Sequence, residues 1–178
     1  ATRCVEAPHS VVFLDELTTA SPSVQAAMLR VVLEREVGDL RLPSTVSFVA
    51  AANPPELSAG GDDLSAPLAN RFCHLHWESD VAAWSVGMLR GWVPRPAPVV
   101  PVARSAFEDR WRATVVAFVT ARPAVLRQIP NDVVGQGKAW ASPRTWDRTH
   151  RLAAAADAAG ASPEALRLLI AGLVGQGP

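Results

Sequence analysis

The chain has 178 residues, of which 49% are hydrophobic and 19% charged, and its formal net charge is zero. That length fits one domain, or one domain with a small appendage, and buries about two thirds of the surface an unfolded chain exposes. The composition excludes a wholly disordered chain, and no apolar run reaches the length of a membrane-spanning helix. The neutrality hides an asymmetry, because residues 1–92 carry −5 and residues 93–178 carry +5. Opposite signs suit two modules, or a junction between subunits. Arg outnumbers Lys 16 to 1. Two cysteines, Cys4 and Cys73, are too few for a disulfide framework, so a reducing, cytoplasmic setting is the expectation. The first fifteen residues carry acids around a short apolar run and do not read as a secretory signal. The chain starts at Ala1, just before that run, and stops straight after a helical pattern, so both ends read as cuts in a longer protein.

Val11-Val12-Phe13-Leu14 is a short apolar run that predicts a central parallel strand buried on both faces. Ser21-Pro22 then predicts a helix start. Val24, Ala27, Met28 and Val31 form its apolar stripe, through residue 36. Gly38-Asp39 between apolar flanks predicts a hairpin turn. A second strand spans 46–52 and stops at Asn53-Pro54-Pro55, because proline cannot continue a central strand. Residues 58–63 read as a loop, and Ser65 caps a short helix through Arg71-Phe72. Alternation over 73–77 predicts a third strand, and Asp80 caps a helix through about residue 90. Residues 93–103, with four prolines, read as a stiff linker and mark the expected domain boundary. Beyond it the pattern is helical. Phe107, Trp111, Val115 and Phe118 form one stripe, ending before Pro123, and residues 124–129 read as a further turn or two. Ser142-Pro143 opens a helix to about 159, and Ser162-Pro163-Glu164 opens the last, with Leu166, Leu169, Ile170 and Leu173 on one face.

The chemistry gathers at the strand ends. An apolar strand ending in Asp15-Glu16 puts two carboxylates at its C-terminal edge, where open α/β sheets bind ligands. In P-loop NTPases an Asp at this place helps hold Mg²⁺ near the phosphates, and a following Glu suits a general base for water. Asn53 closes the second strand with an amide that can orient water or meet a phosphate oxygen. Arg71, at the end of a short helix, carries the permanent planar charge that suits a transition-state phosphate.

In this order the elements resemble the AAA+ ATPases, most closely the MoxR-like branch. The stretch VVFLDELTTASPSVQAAMLRVVLEREVGDLRLPSTVSFVAAANPPELSAGGDDLSAPLANRFCHLHW carries the resemblance. FLDEL is similar to a Walker B strand, and REVGDLRLPSTV to the hairpin this branch inserts before sensor 1. AAANP is similar to sensor 1, and LSAPLANRF to the arginine-finger segment. Ala141-Ser142-Pro143-Arg144 more weakly resembles the sensor 2 start of the helical lid. The resemblance implies a partial P-loop NTPase (AAA+) α/β core, a parallel sheet with flanking helices, over 1–92. A small all-helical lid over 104–178 follows the 93–103 linker. It implies ATP and Mg²⁺ as cofactors: Asp15 supporting the metal through water, Glu16 activating the attacking water, Asn53 as sensor 1, Arg71 as a finger reaching a neighbouring subunit, and Arg144 as sensor 2. It implies a homo-oligomeric ring, a hexamer by the family's habit, that remodels a protein client.

One departure stands out. GxxxxGKS/T is absent, and the sole lysine, Lys138 in Gly135-Gln136-Gly137-Lys138-Ala139-Trp140, has neither the hydroxyl neighbour nor the glycine spacing of a phosphate cradle. It reads as a loop between lid helices. The Walker A region is therefore expected upstream of Ala1. The alternative is a non-catalytic adaptor that keeps the AAA+ scaffold without hydrolysing ATP. His74 and His76, with Cys73, are too few for a metal site. The basic residues of the second half are scattered among acids, which suits a solvated face rather than nucleic acid. Trp111 and Trp146 fall on amphipathic helices as core residues.

Overall fold

A computed structural model describes residues 9–53, 63–92 and 105–177. Cys4, residues 58–62 of the expected loop and the 93–103 linker lie outside them. The fold is mixed α/β, mostly helical, with a small parallel sheet. No described helix is long and apolar enough to cross a membrane. The chain forms two compact units, one of residues up to Phe72 together with Gln128–Trp140, the other of Cys73–Arg127 together with residues from Ala141 on. They are not coextensive with the 1–92 and 104–178 modules read from the sequence. Backbone stiffness marks a linker, whereas units are set by which side chains bury together.

In the first unit, β1 (Ser10–Leu14) pairs in parallel with β4 (Val46–Ala50), Val12 opposite Phe48 and Leu14 opposite Ala50. Between them run α1 (Pro22–Glu34) and a hairpin of β2 (Glu36–Val37) and β3 (Leu40–Arg41). Gly38 takes the positive φ the turn needs. Arg35 ends α1 in the left-handed region without being glycine. Its guanidinium offsets the strain by donating to the Pro43 and Val46 carbonyls, at 3.1 and 2.6 Å. Two sequence expectations are corrected here. β1 is not buried on both faces, since Val11 is 65% and Phe13 59% exposed, with Val49 exposed on the neighbouring strand. Only the Val12–Leu14 face is covered, because a two-stranded sheet has no further layer among the described residues. On α1, Val24 is exposed while Gln25 is 1% exposed. The helix turns a polar residue inward where backbone carbonyls need a donor.

The one-turn helix α2 (Ala66–Ala69) buries Leu68 and Ala69 completely. Helix α3 (Val81–Arg90) belongs to the second unit and starts as expected, with Asp80 accepting from the Ala82 and Ala83 amides. Residues 73–77 join no described sheet, against the third strand expected. Instead the His74 amide donates to the Gly172 carbonyl at 2.7 Å. The second unit continues with α4 (Ser105–Ala121) and a 3₁₀ turn (Pro123–Leu126). The four-residue α5 (Val133–Gln136) returns to the first unit. Helices α6 (Pro143–Ala158) and α7 (Pro163–Val174) complete the second.

Its core joins Val125, Ala141, Trp146, Leu173 and Val174. Phe118 meets Trp146 at a 5.6 Å ring separation, and the indole N–H of Trp146 donates to the Val125 carbonyl at 2.9 Å. The α4 stripe, Phe107, Trp111, Val115 and Phe118, is half-buried as its spacing predicts. The 73–74 segment crosses α7 over Gly172, where an added Cβ would stand 2.3 Å from the His74 carbonyl oxygen. Gly172→Ala is therefore expected to destabilise the protein by about 1–3 kcal/mol. A chemical-denaturation midpoint reads this directly, and an unchanged midpoint would contradict the close crossing.

Candidate functional site

The end of β1 is joined to the end of β4 by backbone bonds that continue the parallel ladder. The Ala51 amide donates to the Leu14 carbonyl at 2.9 Å, and the Leu17 amide donates to the Ala51 carbonyl at 3.0 Å. Asp15-Glu16 and Asn53 are therefore brought to one sheet edge. The buried Thr18 adds a third link, its hydroxyl donating to the Asn53 carbonyl at 3.5 Å. Between Leu14 and Leu17 the chain fits in one residue more than a regular parallel ladder uses. It does so with a kink at Glu16, which takes φ 51° and ψ 42°. A left-handed glutamate is uncommon and costs of order 1 kcal/mol. Two local bonds support it: the Glu16 amide donates to Asp15 Oδ1 at 3.0 Å, and the Glu16 carbonyl accepts from the Thr19 hydroxyl at 2.8 Å. Asp15, Glu16 and Asn53 are all exposed, so the edge is open to solvent.

Arg71 is held in the same unit, directly after α2. The buried Asn70 donates from Nδ2 to the Trp140 carbonyl at 3.2 Å, and Arg71 Nη1 donates to the Pro67 carbonyl. Arg144 lies in the second unit, in the first turn of α6. There a capping box holds the helix start: Ser142 accepts from the Thr145 amide at 3.2 Å, and Thr145 Oγ1 accepts from the Ser142 amide at 2.8 Å. Arg148, one turn further on, is half-buried. Burial first, and then the neighbouring Arg144 charge, push its guanidinium below its ordinary pKa.

The expected loop at 135–140 is corrected in part. Residues 133–136 form α5, and the chain through Lys138 packs in the first unit against the α2 segment, with Gly137 close to the Leu64 carbonyl. Lys138 is exposed in a turn, and no strand precedes it. Among the described residues no group of three or more His, Cys, Asp or Glu could hold a metal. Burial pushes the Cys73 thiol up, which keeps it protonated and a poor ligand. The Asp15–Glu16–Asn53 edge nonetheless fits a magnesium nucleotide in its donor chemistry. Asp15 and Glu16 offer two exposed carboxylates there, and the exposed Asn53 offers an amide. The groups that would cradle the phosphates are not among the described residues.

Comparison with protein-family models, with curated proteins and with solved structures finds no match to this chain. The geometry of the sheet edge therefore bears the functional argument. Sequence reasoning missed Thr18, Gln25 and Asn70, the buried polar residues that fix the site's segments. Polar positions inside apolar helical or turn segments were the available signal.

Proposed function

We propose that this chain supplies the hydrolytic elements of a MoxR-like AAA+ ATPase that uses ATP to remodel a protein client. The supporting observation is the convergence of Asp15, Glu16 and Asn53 at the C-terminal edge of two parallel strands, joined by the Leu17–Ala51 and Ala51–Leu14 bonds. Isolated acidic turns are common; an acidic pair and an asparagine that follow the C-terminal ends of two paired parallel strands are a narrower arrangement.

In this reading, bound Mg²⁺–ATP supplies the electrophilic phosphorus and neutralises charge on the phosphate oxygens. Asp15 would hold the Mg²⁺ through water. Glu16 takes a proton from the attacking water, and the Asn53 amide orients that water or a phosphate oxygen. Arg71 serves the site of the adjacent subunit, so the ring is part of the reading. Arg144 would act as sensor 2 toward a phosphate oxygen, as the resemblance implies. The reading requires a phosphate cradle that the described residues do not supply.

The test is Mg²⁺-dependent ATP turnover by the protein expressed from its complete reading frame, with and without EDTA. Turnover that EDTA abolishes is the expected result. If that protein neither binds nor hydrolyses ATP, the reading fails and a non-catalytic adaptor becomes the better account.

A further inference from the structure

We propose that Gln25 is a positioning residue for Arg71, tying the turn after Glu16 to the helix that ends at the finger. The inference rests on the ATPase reading above. Gln25 sits in the first turn of α1 and is 1% exposed. Both polar atoms of its side chain are engaged. Nε2 donates to the Ala20 carbonyl at 3.2 Å and to the Asp63 carbonyl at 3.3 Å, and Oε1 accepts from the Ser65 amide at 2.9 Å. Ala20 closes the short 3₁₀ turn that follows Glu16. Ser65 is the residue before α2, whose start receives no side-chain cap of its own.

A one-turn helix cannot hold itself, because nucleation costs more than one turn of hydrogen bonds returns. The two ends of α2 are instead pinned by buried amides. Gln25 holds the start, and Asn70, 2% exposed, holds the end through the Trp140 carbonyl. Arg71 follows at once. Gln25 also grips the segment leading from the Asp15–Glu16 turn, through the Ala20 carbonyl. Its loss would leave the Ala20 and Asp63 carbonyls and the Ser65 amide without these bonds, and would let the base of α2 shift. An ångström of misplacement at a reacting group costs about 10²-fold in rate.

The test separates a displaced finger from general damage by using the fact that a finger acts on the neighbouring subunit. Gln25→Leu removes all three bonds. Ser65→Pro keeps the Gln25 bonds to Ala20 and Asp63 but replaces the Ser65 N–H donor with a ring carbon set against Gln25 Oε1, at a φ of −57° that suits proline. Should Gln25→Leu fail to fold, Ser65→Pro carries the test. Each is made in the complete protein and co-assembled one to one with Glu16→Gln subunits, whose fingers are intact. Arg71→Ala is run in parallel. The pure Gln25→Leu protein is expected to lose about 10²-fold in kcat with little change in KM for ATP. In mixed rings about one site in four pairs an intact base with an intact neighbouring finger, so turnover rises to about a quarter of wild type. A purely structural role would leave the mixture no more active than its parts. If Arg71→Ala mixtures recover and the Gln25→Leu and Ser65→Pro mixtures do not, the Gln25 assignment is overturned while the ATPase reading stands. If Arg71→Ala mixtures also stay inactive, the finger in trans falls, and the Gln25 assignment falls with it.

Discussion

Replacing Glu16 by Gln in the complete protein is expected to lower ATP turnover by about 10²–10⁴-fold while leaving nucleotide binding intact. That is the range general-base catalysis contributes. Gln has nearly the shape of Glu and keeps an acceptor oxygen, but it cannot take a proton from water. The substitution is also gentle on the fold. Glu16 contributes its amide and carbonyl to the turn, bonding Asp15 Oδ1 and the Thr19 hydroxyl, and Gln supplies the same backbone groups. Binding of a fluorescent ATP analogue and single-turnover hydrolysis would be measured side by side. Retained binding with lost turnover supports Glu16 as base. Wild-type turnover in the variant would remove it from the mechanism, and with it the main reason to read the sheet edge as a hydrolytic site.

Arg71→Ala is expected to cost about 10³–10⁵-fold in kcat, the contribution of arginine fingers in other NTPases. Arg71→Lys should rescue little of this, because an ammonium offers a point charge in place of a planar fork. The loss should depend on assembly. At dilutions that dissociate the ring, wild type and variant should converge on the same slow rate. An Arg71→Ala protein as active as wild type at assembly concentrations would show that the residue serves the fold alone.

Much of the fold was legible because its signals are local. Apolar runs at 11–14 and 46–52 gave β1 and β4. Ser-Pro pairs at 21–22, 142–143 and 162–163 marked three helix starts within a residue. Asp15, Glu16 and Asn53 were legible as a set for the same reason, since strand ends sit next to each other whenever the strands pair in parallel. What failed was decided by contacts with distant segments that leave no local pattern. The alternation at 73–77 promised a strand, but Cys73 and His74 lie against α7, nearly a hundred residues away. The apolar stripe on α1 pointed to Val24, whereas the contact with Asp63 and Ser65 demanded the donor and acceptor of Gln25. Helical spacing counts methyl groups and is blind to a carbonyl brought up by a distant segment.

The division of the chain also bears on how it is made. The backbone passes between the two units three times, after Phe72, after Arg127 and after Trp140. Asn70 can find its acceptor only when Trp140 has been synthesised, by which time most of the other unit already exists. Domains that are continuous in sequence can fold one after the other as they leave the ribosome. Here the unit bearing the acidic sheet edge begins first yet is completed late, so the last segment that secures α2 arrives only after some seventy intervening residues have been translated.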